Sequence, residues 1–223
     1  MAAAAAAATS PLRRVVELDE AWSLRIHEAC QVVPRRLLKA LEISGDGRIW
    51  IPIPIALLLA SPSPELYCVA MGLLAGFLLD LLFVGLLKHL VRRSRPLYNK
   101  GMYLTFAVDH WSFPSGHSSR VFFISTFLYL VRGSLREAAA GVVGPSPWPR
   151  WRTVLEDRGL ELGHLFLPSV FLWSVVTSAS RILLGRHFVV DVIAGGCLGL
   201  LEAAVVFLFL LHPTFFTKFL LDR

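Results

Sequence analysis

The sequence predicts an all-α membrane protein, a polytopic transmembrane helix bundle of five or six spans with an amphipathic interfacial helix at its N-terminus. Long apolar runs recur along the chain, 55% of its 223 residues are hydrophobic against 17% charged, and the mean hydropathy is +0.62. That balance suits a polytopic membrane protein and excludes an ordinary soluble domain. The net charge of +6 does not point to nucleic acid, because the Lys and Arg residues sit at the ends of apolar runs rather than in a surface stripe. Membrane flanks and a pocket for an anion explain them better. Cys30, Cys68 and Cys197 fall in predicted helices without metal-type spacing, so free thiols and no metal site are expected.

Taken in order, residues 1–14 read as a disordered start: the Ala run has no basic region ahead of it, and Ser is too sparse for a transit peptide. Residues 15–44 form the amphipathic interfacial region. Leu18, Trp22, Ile26, Ala29 and Val33 recur at helical spacing, with Glu17, Asp19, Glu20, Arg25 and Glu28 elsewhere on the wheel and Arg35, Arg36 and Lys39 near lipid headgroups. The transmembrane domain is expected over 45–212. Ile49 to Ala60 is short for a core of about 30 Å and carries Pro52 and Pro54, whereas Glu65 to Leu87 is long enough to span. Ser118 to Val131 is a shorter span. A polar connection over Arg132–Leu162, anchored by Trp148 and Trp151, leads to spans over Gly163–Leu184 and Phe188–Leu211, and a tail occupies 213–223.

Three stretches carry the chemistry. The first span runs out into Lys88-His89-Leu90-Val91-Arg92-Arg93-Ser94-Arg95-Pro96. If the helix continues to Pro96, Lys88 and Arg95 lie two turns apart on one face, placed to grip a phosphate from different sides. In Ser112-Phe113-Pro114-Ser115-Gly116-His117-Ser118-Ser119-Arg120, a turn feeds a helix N-terminus whose unpaired N–H groups favour an anion, and His117 is a candidate proton donor. In Ser180-Arg181 through Gly185-Arg186-His187 to Asp191, the carboxylate falls one helical turn after the imidazole, where it can fix the tautomer and leave the other ring nitrogen as a nucleophile. A helix cap is the bland alternative for that His-Asp pair. Alternating spans bring all three stretches to one membrane face.

In order and spacing these residues resemble the three signature motifs of the type 2 phosphatidate phosphatase superfamily: Lys88 to Arg95-Pro96, Pro114-Ser115-Gly116-His117, and Ser180-Arg181 to His187 and Asp191. Within it, the small size, Arg120 and Leu184-Gly185-Arg186-His187 look most like the presqualene and polyisoprenoid diphosphate phosphatases and a plant lipid phosphate phosphatase branch. The resemblance implies a phosphatase without metal or other cofactor, acting on a lipid phosphate or isoprenoid diphosphate. In it His187 would attack phosphorus, Asp191 would orient His187, and His117 would protonate the leaving oxygen. Lys88, Arg95, Ser115, Gly116 and Arg181 would hold the phosphoryl oxygens. Arg92, Arg93 and Arg186 are cations beyond the signature, read either as headgroup or second-phosphate contacts or as plain membrane flanks. Asp80 and Glu202, inside spans, are read as structural hydrogen-bonding groups. The partners expected are membrane lipids and the lipid substrate, in the endoplasmic reticulum or another endomembrane. A lipid-binding scaffold without catalysis and a vanadate-dependent haloperoxidase are the rival functions. With five spans the site shares a side with the N-terminal segment; a sixth span made from the N-terminal helix reverses that.

Overall fold

The computed structural model describes residues 11–60, 63–98, 110–135 and 162–210. The helices among them are α1 (Pro11–Ala29), α2 (Arg35–Ser44), α3 (Gly47–Trp50), α4 (Pro52–Ala60), α5 (Pro64–Val91), α6 (Gly116–Leu130), α7 (Leu162–Leu183) and α8 (Val189–Leu210). No β-strand occurs among the described residues beyond one isolated bridge between Ser94 and Trp111. Most of the connection expected over Arg132–Leu162, with Trp148 and Trp151, lies outside the described residues, as do the chain start and the tail.

Helices α5, α7 and α8 are long and apolar enough to cross a membrane, and α2 with α3–α4, bent by 43°, is long and apolar enough only as a pair, as a broken span or a re-entrant loop. Ile49–Ala60 is therefore not a span by itself. Asp46 starts α3 by accepting from the Arg48 N–H at 2.8 Å, and Pro52 and Pro54 sit in the first turn of α4, where the missing N–H costs nothing. Helix α5 is capped by Ser63, whose hydroxyl accepts from the Leu66 N–H at 3.3 Å, with Pro64 just inside.

Helix α6 has 15 residues, about 22 Å at 1.5 Å per residue, and occupies the centre against α5, α7 and α8. Val121, Phe123, Ile124 and Phe127 are sealed there, with Phe77 edge-on to Phe123 and Phe127 stacked on it, both at 5.6 Å between centroids. A short helix suffices because protein rather than lipid surrounds it. Small residues set the spacing: Gly76 lies under the Phe123 ring, and a Cβ on Gly195 or Gly199 of α8 would overlap the backbone carbonyl of Ser115 or Ser119. This small-xxx-small stripe lets the α6 and α8 backbones touch. Inside the bundle Asp80 pairs with Arg120 at 2.8 Å and the Ser119 hydroxyl donates to Glu202 at 3.3 Å, the structural role expected of both acids.

Helix α1 packs on α7 and α8 with the face opposite to the one its apolar stripe suggests. Asp19 and Ser23 are buried, while Leu18 and Trp22 are 59% and 58% exposed. The cause is what it covers. Ser23 Oγ accepts from the Val189 N–H at 2.9 Å, Asp19 Oδ1 accepts from the Val190 N–H at 3.1 Å, and His27 Nδ1 donates to the Leu183 carbonyl at 2.8 Å. The free ends of two helices need polar partners, so the polar face turns inward and the apolar face is left to the membrane interface.

Candidate active site

The nucleophile candidate is placed by a helix stop. Helix α7 ends in a Schellman motif: Gly185 takes the left-handed conformation at φ 71°, its N–H donates to the Ile182 carbonyl at 2.9 Å, and the Arg186 N–H donates to the Arg181 carbonyl at 2.9 Å. The chain thus folds back over Arg181 and delivers His187 to the mouth of the bundle. Tyr98 packs against this Gly and on the His27 ring, 4.7 Å between centroids; burial, followed by the charges of Asp19 and Glu20, pushes its hydroxyl up to about 12.

The His187 side chain is 2% exposed. Its Nδ1 lies 2.8 Å from the Ser112 carbonyl, which can only accept, so Nδ1 carries the proton and Nε2 presents its lone pair. Arg95 donates to that Nε2 at 3.3 Å and to the Arg186 carbonyl at 2.8 Å. Burial first, then the charges of Arg95, Arg181 and Lys88, hold the imidazole well below its usual pKa, so it is neutral. Asp191 stands one turn on, as the spacing predicts, but 3.8 Å from Nδ1. Its Oδ2 accepts from the Phe188 N–H at 2.9 Å and its Oδ1 meets Arg93 at 2.9 Å. It is therefore both a helix cap and a second-rank neighbour of the ring, whose tautomer is set mainly by the Ser112 carbonyl.

The cationic segment departs from the expected geometry. Helix α5 stops at Val91 because Arg92 takes a left-handed conformation at φ 51°, its N–H donating to the Lys88 carbonyl at 3.0 Å. Ser94 then bridges to Trp111, and the Ser112 N–H donates to the Arg93 carbonyl at 2.8 Å. Lys88 and Arg95 consequently do not share a helix face: Lys88 reaches the Trp111 carbonyl at 3.2 Å from the last turn of α5, and Arg95 arrives from the extended segment. Two of the three extra cations, Arg93 and Arg186, are paired with acids. Arg93 bridges Asp19 at 2.7 Å and Asp191 at 2.9 Å with its guanidinium over the Phe188 ring, and Arg186 lies 3.3 Å from Glu42. Arg92 bonds the His89 carbonyl at 2.9 Å at the helix end.

The central stretch forms the facing wall. Ser115 is the N-cap of α6: its hydroxyl accepts from the Ser118 N–H at 3.5 Å and the Ser118 hydroxyl at 3.1 Å, and its own N–H donates to the Asp191 carbonyl at 2.9 Å. Gly116 follows, half-buried against Val84. His117 turns a buried Nε2 with no hydrogen-bond partner among the described residues, while the Glu42 carbonyl holds its other side. Arg181, 1% exposed, donates to Glu42 Oε1 at 2.7 Å. The structure thus gathers His187, Asp191, Arg95, Lys88, Ser115, Gly116, His117 and Arg181 at one end of the bundle. Sequence reasoning singled out Arg93 but not its acid partners, and missed the parts played by Asp19, Glu42 and the Ser112 carbonyl, all of which act through partners distant in the chain. Only the Asp19 and Ser23 pair, polar groups one turn apart, left a local trace.

The profile of the PAP2 superfamily matches residues 69–214, well over half of the chain. The chain belongs to the PAP2 superfamily. It is similar to the "Probable lipid phosphate phosphatase beta" of Arabidopsis thaliana, 40% identical over 198 residues that cover 88% of this chain and 90% of that one. A "PA-phosphatase related-family protein" of Dictyostelium discoideum is 29% identical over 161 residues, covering 70% of this chain and 53% of its own. In fold it resembles the transmembrane PAP2 type phosphatidylglycerolphosphate phosphatase of Bacillus subtilis, with a TM-score of 0.61 at 21% identity over 86% and 84% of the two chains. Aquifex aeolicus LpxE aligns with a TM-score of 0.53 at 21% identity over 86% and 93%. This PAP2 member is accordingly an integral membrane phosphatase with an all-α bundle fold.

Proposed function

We propose that this PAP2 enzyme hydrolyses a lipid phosphate monoester or an isoprenoid diphosphate through a phosphohistidine on His187. The observation that carries the mechanism is the neutral His187 ring, its Nδ1 proton held by the Ser112 carbonyl and its Nε2 lone pair turned to Arg95. The phosphate dianion draws a proton from the medium onto His117 Nε2 as it binds; His187 Nε2 then attacks phosphorus, the bond from phosphorus to the lipid oxygen breaks, and His117 gives that oxygen the proton from its Nε2. Water then attacks the phosphohistidine, His117 takes the proton from it, the N–P bond breaks and inorganic phosphate leaves. Arg95, Arg181 and Lys88, with the Ser115 hydroxyl and the Gly116 N–H, spread positive charge over the phosphoryl oxygens, which is most of what phosphoryl transfer needs. Asp191 steadies the imidazolium side of His187 through charge at 3.8 Å. A tail left in lipid beside a cationic mouth suits an amphiphilic substrate, and the apolar outer face of α1 lies at that end.

The test is phosphate release from phosphatidate, presqualene diphosphate and farnesyl diphosphate by purified protein in excess chelator. The parent releases phosphate, and His187→Ala releases none and traps no acid-labile phosphoprotein. Activity retained in His187→Ala, or a parent inactive until metal is added, refutes the mechanism. Loss of His117 lowers the rate by about 10² to 10⁴ with the fold intact. The same reading expects an address in the endoplasmic reticulum or another endomembrane, which a fluorescent fusion checks.

A further inference from the structure

We propose that Glu42 is a built-in competitor of the phosphate, occupying the Arg181 and Arg186 guanidinium groups until substrate displaces it. The inference rests on the phosphatase reading above and concerns the regulation of that same pocket. One oxygen, Oε1, lies 2.7 Å from Arg181 and 3.3 Å from Arg186, as one phosphate oxygen between two cations would. The partners differ in freedom. Both cations are sealed, 1% and 2% exposed, whereas the carboxylate is 19% exposed, at the end of a flexible side chain beside the α2–α3 bend, with a way out to water.

Acceptors are also scarce around Glu42. Arg181 Nε is buried without a hydrogen-bond partner among the described residues, so the carboxylate satisfies only part of what surrounds it. A phosphoryl group brings three oxygens to the same place and can satisfy more. Carboxylate and phosphate cannot both sit on Arg181 without like charges in contact at a site shielded from water, so one excludes the other. The Glu42 carbonyl can keep its hold on His117 while the side chain swings aside. After hydrolysis the returning carboxylate helps expel inorganic phosphate.

A residue that merely positions Arg181 predicts the opposite sign in a binding measurement. The probes are inorganic phosphate and orthovanadate, a phosphate-shaped oxyanion, applied to the full chain in detergent. In Glu42→Gln both inhibit about tenfold more strongly than in the parent, the worth of one lost charge-assisted contact, and KM falls with them. The vanadate-induced rise in Tm grows in step, whatever the variant's own Tm. Should Glu42→Gln not fold, Glu42→Asp, which keeps the charge but shortens the reach, shows a smaller tightening. Unchanged or weaker oxyanion binding in the folded variant overturns the proposal. A parent that neither releases phosphate nor binds vanadate overturns the phosphatase reading itself, so the two failures are separable.

Discussion

Two acid–arginine clusters flank the pocket, and they are built differently. At the head of α8, Arg93 and Asp191 are 15% and 0% exposed, and the pair is extended by Asp19 from α1 and by the Phe188 N–H. Under the α2–α3 bend, Arg181 is equally sealed, but its acid Glu42 keeps 19% of its side chain open. The first cluster satisfies backbone groups and ties three elements together; the second places one acid on two buried cations, Arg181 and Arg186, and that acid is the member open to water. A pair whose acid is sealed acts as framework, because the acid has no way out and its removal leaves the cation unpaired, whereas a pair whose acid is the open member can exchange it for another anion.

The largest effect should come from breaking the sealed cluster. Asp191→Asn leaves Arg93 short of a charge and weakens the cap on α8, so we expect a loss of about 3 kcal/mol or more and of activity. A thermal melt in detergent beside a phosphate-release assay reads both; an unchanged Tm would mean that the cluster is not framework. Arg93→Gln is expected to cost a comparable but smaller amount, because Asp19 and Asp191 keep their helix-end N–H partners. Catalysis should fall less than stability, since Arg93 does not face the phosphate.

The pH profile comes next. His187 has its folded pKa below the ordinary value of 6.5, so the unfolded chain takes up a proton first as the medium is acidified. This group's contribution to stability is therefore present above about 6.5 and is lost as pH falls below it. As the proposed nucleophile, His187 stays neutral through that window, so its acid limb in kcat/KM should lie below about 6.5. Arg95→Gln should move that limb upward while lowering the rate, and a limb that does not move would exclude Arg95 as a cause. The smallest effect is expected from Ser23→Ala, which removes one of the hydroxyl caps over α8: about 1 kcal/mol, read as a modest drop in Tm with kcat unchanged.

The sequence made the local parts of this arrangement legible. Gly185 before Arg186-His187 announced the helix stop, and Ser115 announced the cap of α6, because each depends on its immediate neighbours. The expected continuation of α5 to Pro96 failed for a tertiary reason: Arg92 turns the chain early and Ser94 pairs with Trp111. The polar face of α1 was not singled out for a similar reason. Its apolar stripe is real, but the surface it covers consists of helix ends, so Asp19 and Ser23 went inward. The roles of Glu42 and Arg93 gave no local sign at all, since what they do is decided by Arg181, Arg186 and Asp191 far along the chain. Gly195 and Gly199 were a readable signal of close helix contact that spacing alone could have offered.

That contact has a mechanical consequence. With Gly195 and Gly199 laid against the Ser115 and Ser119 carbonyls, and the Ser115 N–H bonded to Asp191, the wall bearing His117 and the helix that follows His187 cannot slide past one another. They form the fixed jaw of a vice. The opposite jaw is the bent α2–α3 segment, which the Asp80–Arg120 pair tethers through an Arg120 bond to the Gly45 carbonyl. Movement of that jaw is resisted by the Arg120 tether, by the Trp173 bond to the Ser44 hydroxyl at 2.9 Å and by the Glu42–Arg181 pair, of which only the last has an acid open to water.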